Sequence, residues 1–200
     1  MKKKLNIVFC GKTNTGKTST LMYLAALLAG GSRTIVPSIW NSVNSLFFRG
    51  GKPKKDARFI IDYKDIRVFI ATGGDTWNIS TSNYDFFMDD FRRLDLYVID
   101  LKGVHQLNNK SKTKLHGPDI CICACRTADD RNGAIETIHS YSKDMFLDSV
   151  HRYGNYNDLM SIDMQLWIKR NDKTIEDQAK ELFMAIDSYS FSHSSITIPI

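Results

Sequence analysis

Residues Gly11-Lys12-Thr13-Asn14-Thr15-Gly16-Lys17-Thr18 follow the spacing G-x-x-x-x-G-K-[ST] and come directly after the apolar run Leu5-Asn6-Ile7-Val8-Phe9-Cys10. A buried strand leading into such a loop is the context that gives this pattern a mechanism. Glycines let the chain curl so that successive backbone N–H groups point inward, and a helix starting at about Lys17 adds the positive end of its dipole. The segment from Gly11 through Ser19 would therefore cradle a triphosphate, with Gly11, Lys12, Thr13, Asn14, Thr15 and Gly16 supplying the turn. Lys17 is a compact ammonium suited to the outer phosphates, and Thr18 offers a hard oxygen suited to Mg²⁺.

These residues need a strand before them, a helix after them and further strands to carry the remaining chemistry. The helix is predicted from Lys17 through Leu28, rich in good helix formers and stopped at Gly30-Gly31. Ala57 to Asp62 and Ile66 to Ala71 alternate as strands and are joined by only Tyr63-Lys64-Asp65, so they must pair antiparallel. The second of them is expected to run beside the first strand of the chain. Thr81 to Arg93 reads as a helix, Leu96 to Asp100 as a strand and Gln106 to Gly117 as a long surface loop. Asp119 to Cys125 is nearly all apolar, as burial on both faces demands of a central strand. A helix over Gly133 to Tyr153, a strand over Asp163 to Ile168 and a last helix over Ile175 to Tyr189 follow, the last opening on a capping-box-like Thr174-Ile175-Glu176-Asp177. Gly50 to Lys55 reads as an exposed mobile loop, and Arg49 to Lys55 falls where a basic lid could close over a ligand, a solvated linker being the plainer reading of its charge.

A magnesium site also needs a carboxylate, and three apolar runs end in one. Asp75 follows Val68 to Ala71 through Thr72-Gly73-Gly74, where two glycines allow close approach to a γ-phosphate, and it ranks first as metal ligand and catalytic residue. Asp100 would replace it if its own strand neighboured the first. Asp62 ranks last, because it would end the outgoing strand of the hairpin at the opposite edge. Arg126, just past the central strand, could stabilise charge that builds during phosphoryl transfer, or could pair with Asp129 or Asp130.

Composition sets the outer limits. The 200 residues suit one domain over positions 1–200, large enough to bury a core without staples. A formal charge of +5, from 27 Lys and Arg against 22 Asp and Glu, suits an anionic ligand without forming the concentrated stripe that would indicate nucleic acid. Cys10, Cys121, Cys123 and Cys125 lack the C-x₂-C spacing of zinc sites and read as reduced, buried thiols, consistent with a cytoplasmic protein. No run approaches the roughly 18 apolar residues of a membrane span, so no membrane partner is expected.

The loop with its strand and helix resembles the phosphate-loop (P-loop, Walker A) NTPase superfamily. Asn14 within Gly-x-x-Asn-x-Gly-Lys-Thr and the antiparallel hairpin are similar to the translation-factor-like GTPases. The Asp-x-x-Gly of that class is replaced by Thr72-Gly73-Gly74-Asp75, and its Asn-Lys-x-Asp by Lys169-Arg170-Asn171-Asp172-Lys173, so ATP is expected over GTP. Gly74-Asp75 and Ala124-Cys125-Arg126-Thr127 are similar to the corresponding segments of small uncharacterised bacterial P-loop proteins. The resemblance implies a three-layer α/β/α fold with a mostly parallel sheet and one antiparallel hairpin strand. It also implies Mg²⁺-dependent binding and hydrolysis of a nucleoside triphosphate, as a switch acting on a protein partner. The alternative activity is γ-phosphate transfer by a nucleoside, nucleotide or small-molecule kinase.

Overall fold

The run Ile120-Cys121-Ile122-Cys123-Ala124 carries no polar side chain, and all five residues are buried. Only the interior of a sheet covered on both faces accommodates such a strand. In the computed structural model this run forms the middle of an eight-stranded sheet. The structure describes residues 5–10, 14–73, 94–112, 115, 117–125, 160–162, 165–169 and 173–193. In chain order the elements are β1 (Leu5–Cys10), α1 (Lys17–Gly30), α2 (Pro37–Phe47), β2 (Phe48–Arg49), β3 (Lys52–Pro53), β4 (Arg58–Tyr63), β5 (Ile66–Ala71), β6 (Tyr97–Asp100) and β7 (Gly103–Gln106). A short α3 (Asn109–Lys112), β8 (Ile120–Cys125), β9 (Met160–Ile162), β10 (Gln165–Lys169) and α4 (Ile175–His193) follow. The expected helices over 81–93 and 133–153 lie outside the described residues.

The sheet runs β7-β6-β4-β5-β8-β1-β10-β9, and β2 with β3 forms a separate hairpin. This corrects two expectations. The sheet is mixed rather than mostly parallel: β4 with β5, β6 with β7 and β9 with β10 all pair antiparallel. Only two residues separate the strands of each of these pairs, and a parallel pairing would need a crossover of a dozen or more. Nor is a clear three-layer α/β/α arrangement formed, because α1, α2 and α4 share one core on one face of the sheet, among the described residues. The second correction concerns β5, which does not touch β1. Strand β8 lies between them, parallel to both.

Alternation along the strands divides the core. Ile7 and Phe9 of β1, Phe59 and Ile61 of β4, Val68 and Ile70 of β5, and Ile120 and Ile122 of β8 meet the three helices. Ile60, Phe69, Cys121 and Cys123 point to the opposite face and are equally buried. Helix α1 is the centre of the helical layer. Leu21, Met22, Leu24, Ala25, Ala26, Leu27 and Leu28 are all buried, so it is apolar nearly all round, as a helix enclosed between a sheet and other helices must be. It ends as the glycines predict: Gly31 is left-handed, and the N–H groups of Gly31 and Ser32 return to Leu28 and Leu27.

Helix α2 was not legible as an element, because Ser and Asn dilute its pattern. Its buried residues Ile39, Val43 and Phe47 nonetheless recur every fourth position. The segment between Gln106 and Gly117 was expected as loop throughout, but it contains α3. Helix α4 starts where its capping signal lies, with the Asp177 N–H donating to Thr174 Oγ1 at 3.1 Å, and it runs to His193, beyond the predicted end.

Two polar ties hold α4 in place. The Tyr23 hydroxyl of α1 is pushed up to about 12 by burial and by its hydrogen bond to Glu176. Asp187 accepts from Tyr63 at 2.5 Å and pairs with Lys64 at the β4–β5 turn. Lys64 first and Tyr63 second hold the Asp187 carboxyl below the ordinary aspartate range. A carboxyl depressed by folding stabilises the native state above about pH 4 and loses that contribution as pH falls through its lowered value. Asp187→Asn should therefore cost no more than about 1 kcal/mol at pH 7, since the Lys64 partner is about half exposed. Urea unfolding at pH 7 and pH 3 checks this, and the variant's deficit should be smaller at pH 3.

Candidate functional site

Strands β1, β5, β8 and β10 are parallel through their pairings, so their carboxyl ends share one edge of the sheet. Ligands of open α/β sheets bind at such an edge. The chain leaves β1 there, and before α1 Asn14 is left-handed with φ 60° and Gly16 has φ 90°. Two positive-φ residues in three turn the backbone sharply before α1. The Gly16 carbonyl then accepts the N–H of Thr20 at 2.9 Å, closing the first helical turn.

Lys17, the first residue of α1, is only 6% exposed and lines the cleft. Thr18 and Ser19 follow on the same turn. Together with Asn14, Thr15 and Gly16 they form one wall of a cleft of about 720 Å³. The opposite wall is Gly51-Lys52-Pro53-Lys54-Lys55-Asp56.

The segment Gly50 to Lys55 is largely exposed, as expected, but it holds a short hairpin strand and is not loop throughout. Phe48 pairs with Pro53 and Arg49 with Lys52 across a turn in which Gly50 and Gly51 are both left-handed, as a two-residue hairpin turn requires. The hairpin is fastened at both ends. Phe48 stacks on Trp40, which stacks on Tyr23 of α1, with ring centroids 5.5 and 5.1 Å apart. Past β3, the N–H of Lys54 donates to the Phe47 carbonyl at 2.8 Å. The Lys55 ammonium lies over the Phe47 and Tyr97 rings at 5.1 and 5.2 Å and donates to the Tyr97 hydroxyl at 3.0 Å.

The end of this wall meets the β4–β5 hairpin. Beyond the last ladder pair, Arg58 with Ala71, the Thr72 N–H donates to the Ala57 carbonyl at 3.0 Å and the Ala57 N–H donates to Thr72 Oγ1 at 2.9 Å. Because β4 runs against β5, its amino end lies at the carboxyl edge of β5. Asp56 is thereby brought to Thr18, whose Oγ1 is 3.3 Å from Asp56 Oδ1 and 3.2 Å from the Thr72 carbonyl oxygen.

Sequence reasoning did not find Asp56, because it looked for carboxylates at the ends of strands and not at their starts. The available signal was an acid one residue before Ala57-Arg58, at the head of a strand already known to be antiparallel. Two of the three acids it weighed lie elsewhere. Asp62 is bound by Arg67 Nε and Nη2 at 2.6 and 3.0 Å at the hairpin turn. Asp100 accepts the N–H of Lys102 at 2.7 Å as a turn residue, and its strand β6 is separated from β1 by three others. Gly11, Lys12, Thr13, Asp75 and Arg126 lie outside the described residues.

Thr72 is 1% exposed, and its hydroxyl is the acceptor for the Ala57 N–H. Thr72→Val keeps the shape and removes that acceptor, which should cost about 1–3 kcal/mol for an orphaned buried donor. Urea unfolding checks this through a lower midpoint at unchanged slope, and Thr72→Ser should recover most of the loss. Searches of protein-family models, of curated proteins and of solved structures find no match to this chain.

Proposed function

We propose that the chain binds a Mg²⁺-nucleoside triphosphate in the cleft between Asn14–Ser19 and Gly51–Asp56 and hydrolyses it, as a nucleotide-controlled switch. The observation that carries this reading is the convergence, on one cleft, of a left-handed turn, a helix start and the buried Lys17. Backbone N–H groups at a helix start and an adjacent ammonium form a site for a strongly anionic group. The same motif in the sequence supports the reading as a P-loop NTPase.

The donor set fits magnesium. Thr18 Oγ1 is a hard oxygen at the cleft with further oxygens beside it, and Mg²⁺ prefers such ligands together with phosphate oxygens and water. Bound there, the ion would neutralise charge on the β- and γ-phosphates. Lys17 would hold the outer phosphates, and the Asn14–Gly16 turn would position the chain of phosphates along α1. Asp75 and Arg126 stay as the sequence-based candidates for the catalytic carboxylate and the charge-stabilising arginine. The cleft wall Gly51–Asp56 would respond to the nucleotide state and pass it to a protein partner. No base-reading motif is present, and ATP is favoured over GTP by the absence of Asn-Lys-x-Asp.

No helix among the described residues is long and apolar enough to cross a membrane. The buried thiols Cys121 and Cys123 fit a reducing, cytoplasmic setting.

Thermal unfolding of the wild type and of Lys17→Ala, with Mg-ATP, Mg-GTP or neither, tests the reading. Ligand at 100 times its Kd should add about 2.7 kcal/mol, a rise in Tm of roughly 5–10 °C for a chain of this size. The rise should be absent in Lys17→Ala. No rise in the wild type with either nucleotide would overturn the reading.

A further inference from the structure

We infer that Asp56 is the acidic ligand of a divalent cation held jointly with Thr18, so that the hairpin wall of the cleft is fastened to the nucleotide through the metal. The inference rests on the nucleotide-binding reading above and adds a residue to it.

The argument starts from one hydrogen atom. The Thr18 hydroxyl has a single proton and two oxygen neighbours, the Asp56 carboxylate at 3.3 Å and the Thr72 carbonyl at 3.2 Å. A hydroxyl that gives a lone pair to a metal must direct its proton away from it. The Thr72 carbonyl is the acceptor placed to receive that proton. With the proton on that side, a cation would take the place of the long Thr18–Asp56 hydrogen bond of 3.3 Å and join the two oxygens. Adjacent ligands of an octahedral Mg²⁺ with bonds of 2.0–2.1 Å lie about 2.9 Å apart, within a few tenths of an ångström of the Thr18–Asp56 separation.

Charge gives an independent reason. Among the described residues that line the cleft, Asp56 is the one carboxylate, beside the four lysines Lys17, Lys52, Lys54 and Lys55. Beside a triphosphate it is repulsive, and a divalent cation between the two converts the repulsion into attraction. The surrounding contacts hold Asp56 in that position: Lys55 is tethered on Phe47 and Tyr97 before it, and Ala57 is doubly bonded to Thr72 after it. A residue needed only to keep the loop soluble would require neither restraint.

The consequence is a reversal of sign. With EDTA, wild type should bind β,γ-imido-ATP or β,γ-imido-GTP more weakly than Asp56→Asn, because the carboxylate repels the phosphates. With Mg²⁺ the order should invert. Titration of full-length wild type, Asp56→Asn and Asp56→Glu with each analogue, in Mg²⁺ and in EDTA, tests this. Wild type should gain about tenfold or more from Mg²⁺, Asp56→Asn less than about threefold, and Asp56→Glu an intermediate amount. Mn²⁺ in place of Mg²⁺ gives a second readout, since the paramagnetic signal of bound Mn²⁺ should weaken in Asp56→Asn at saturating nucleotide. An undiminished Mg²⁺ increment in a folded Asp56→Asn would overturn the assignment and leave nucleotide binding standing. A wild type that binds the analogues with no Mg²⁺ increment would do the same. Failure of wild type to bind either analogue in both conditions would overturn this inference together with the nucleotide reading.

Discussion

The constraint on which the rest of the molecule depends is dryness at the centre of the sheet. Backbone groups buried on both faces must find partners within the sheet, and side chains there must carry no polar atom that lacks one. Ile120 to Ala124 meets that demand better than any other run, and it takes the position between β5 and β1. From that placement the site follows. Strand β1 emerges next to the centre, where α1 can bury almost its whole circumference and hold Lys17 at the sheet edge. Displacing β5 by one position leaves its exit, Thr72, close enough to α1 for its carbonyl to meet Thr18.

Local signals and non-local ones were legible to different degrees. The strand–turn–helix at the start, the Gly31 cap, the tight β4–β5 hairpin and the Thr174 cap each depend on a few adjacent residues, and each was readable from them. The neighbour of β1 was not, because pairing partners along a parallel sheet are chosen by burial across the whole domain and leave no mark in a short window. The mixed character of the sheet was missed in part for a similar reason. Gly103 to Gln106 carries no clear strand signal because it forms an edge strand, with only one side to bury. Helix α2 was hidden by Ser and Asn on its outer face.

The candidate site divides along the same line. Asn14, Thr15, Gly16, Lys17, Thr18 and Ser19 are contiguous, and their roles come from backbone shape. Asp56 is 38 residues from Thr18, and its position is the product of a hairpin, an antiparallel strand and a two-bond rung at Thr72. Such a residue is found from topology: in a sheet with one reversed strand, the start of that strand belongs to the same edge as the ends of its neighbours.

The way Lys55 is held carries a dynamic consequence. Its side-chain tether is one hydrogen bond and two contacts over aromatic rings, at an exposed position. Interactions of that kind total about 2 kcal/mol. A tether of that size leaves Lys55 detached in about 3% of molecules at 25 °C. Its release frees the Lys55 ammonium alone, while the Lys54 N–H bond to Phe47 and the two Ala57–Thr72 bonds keep the backbone of the cleft wall in place.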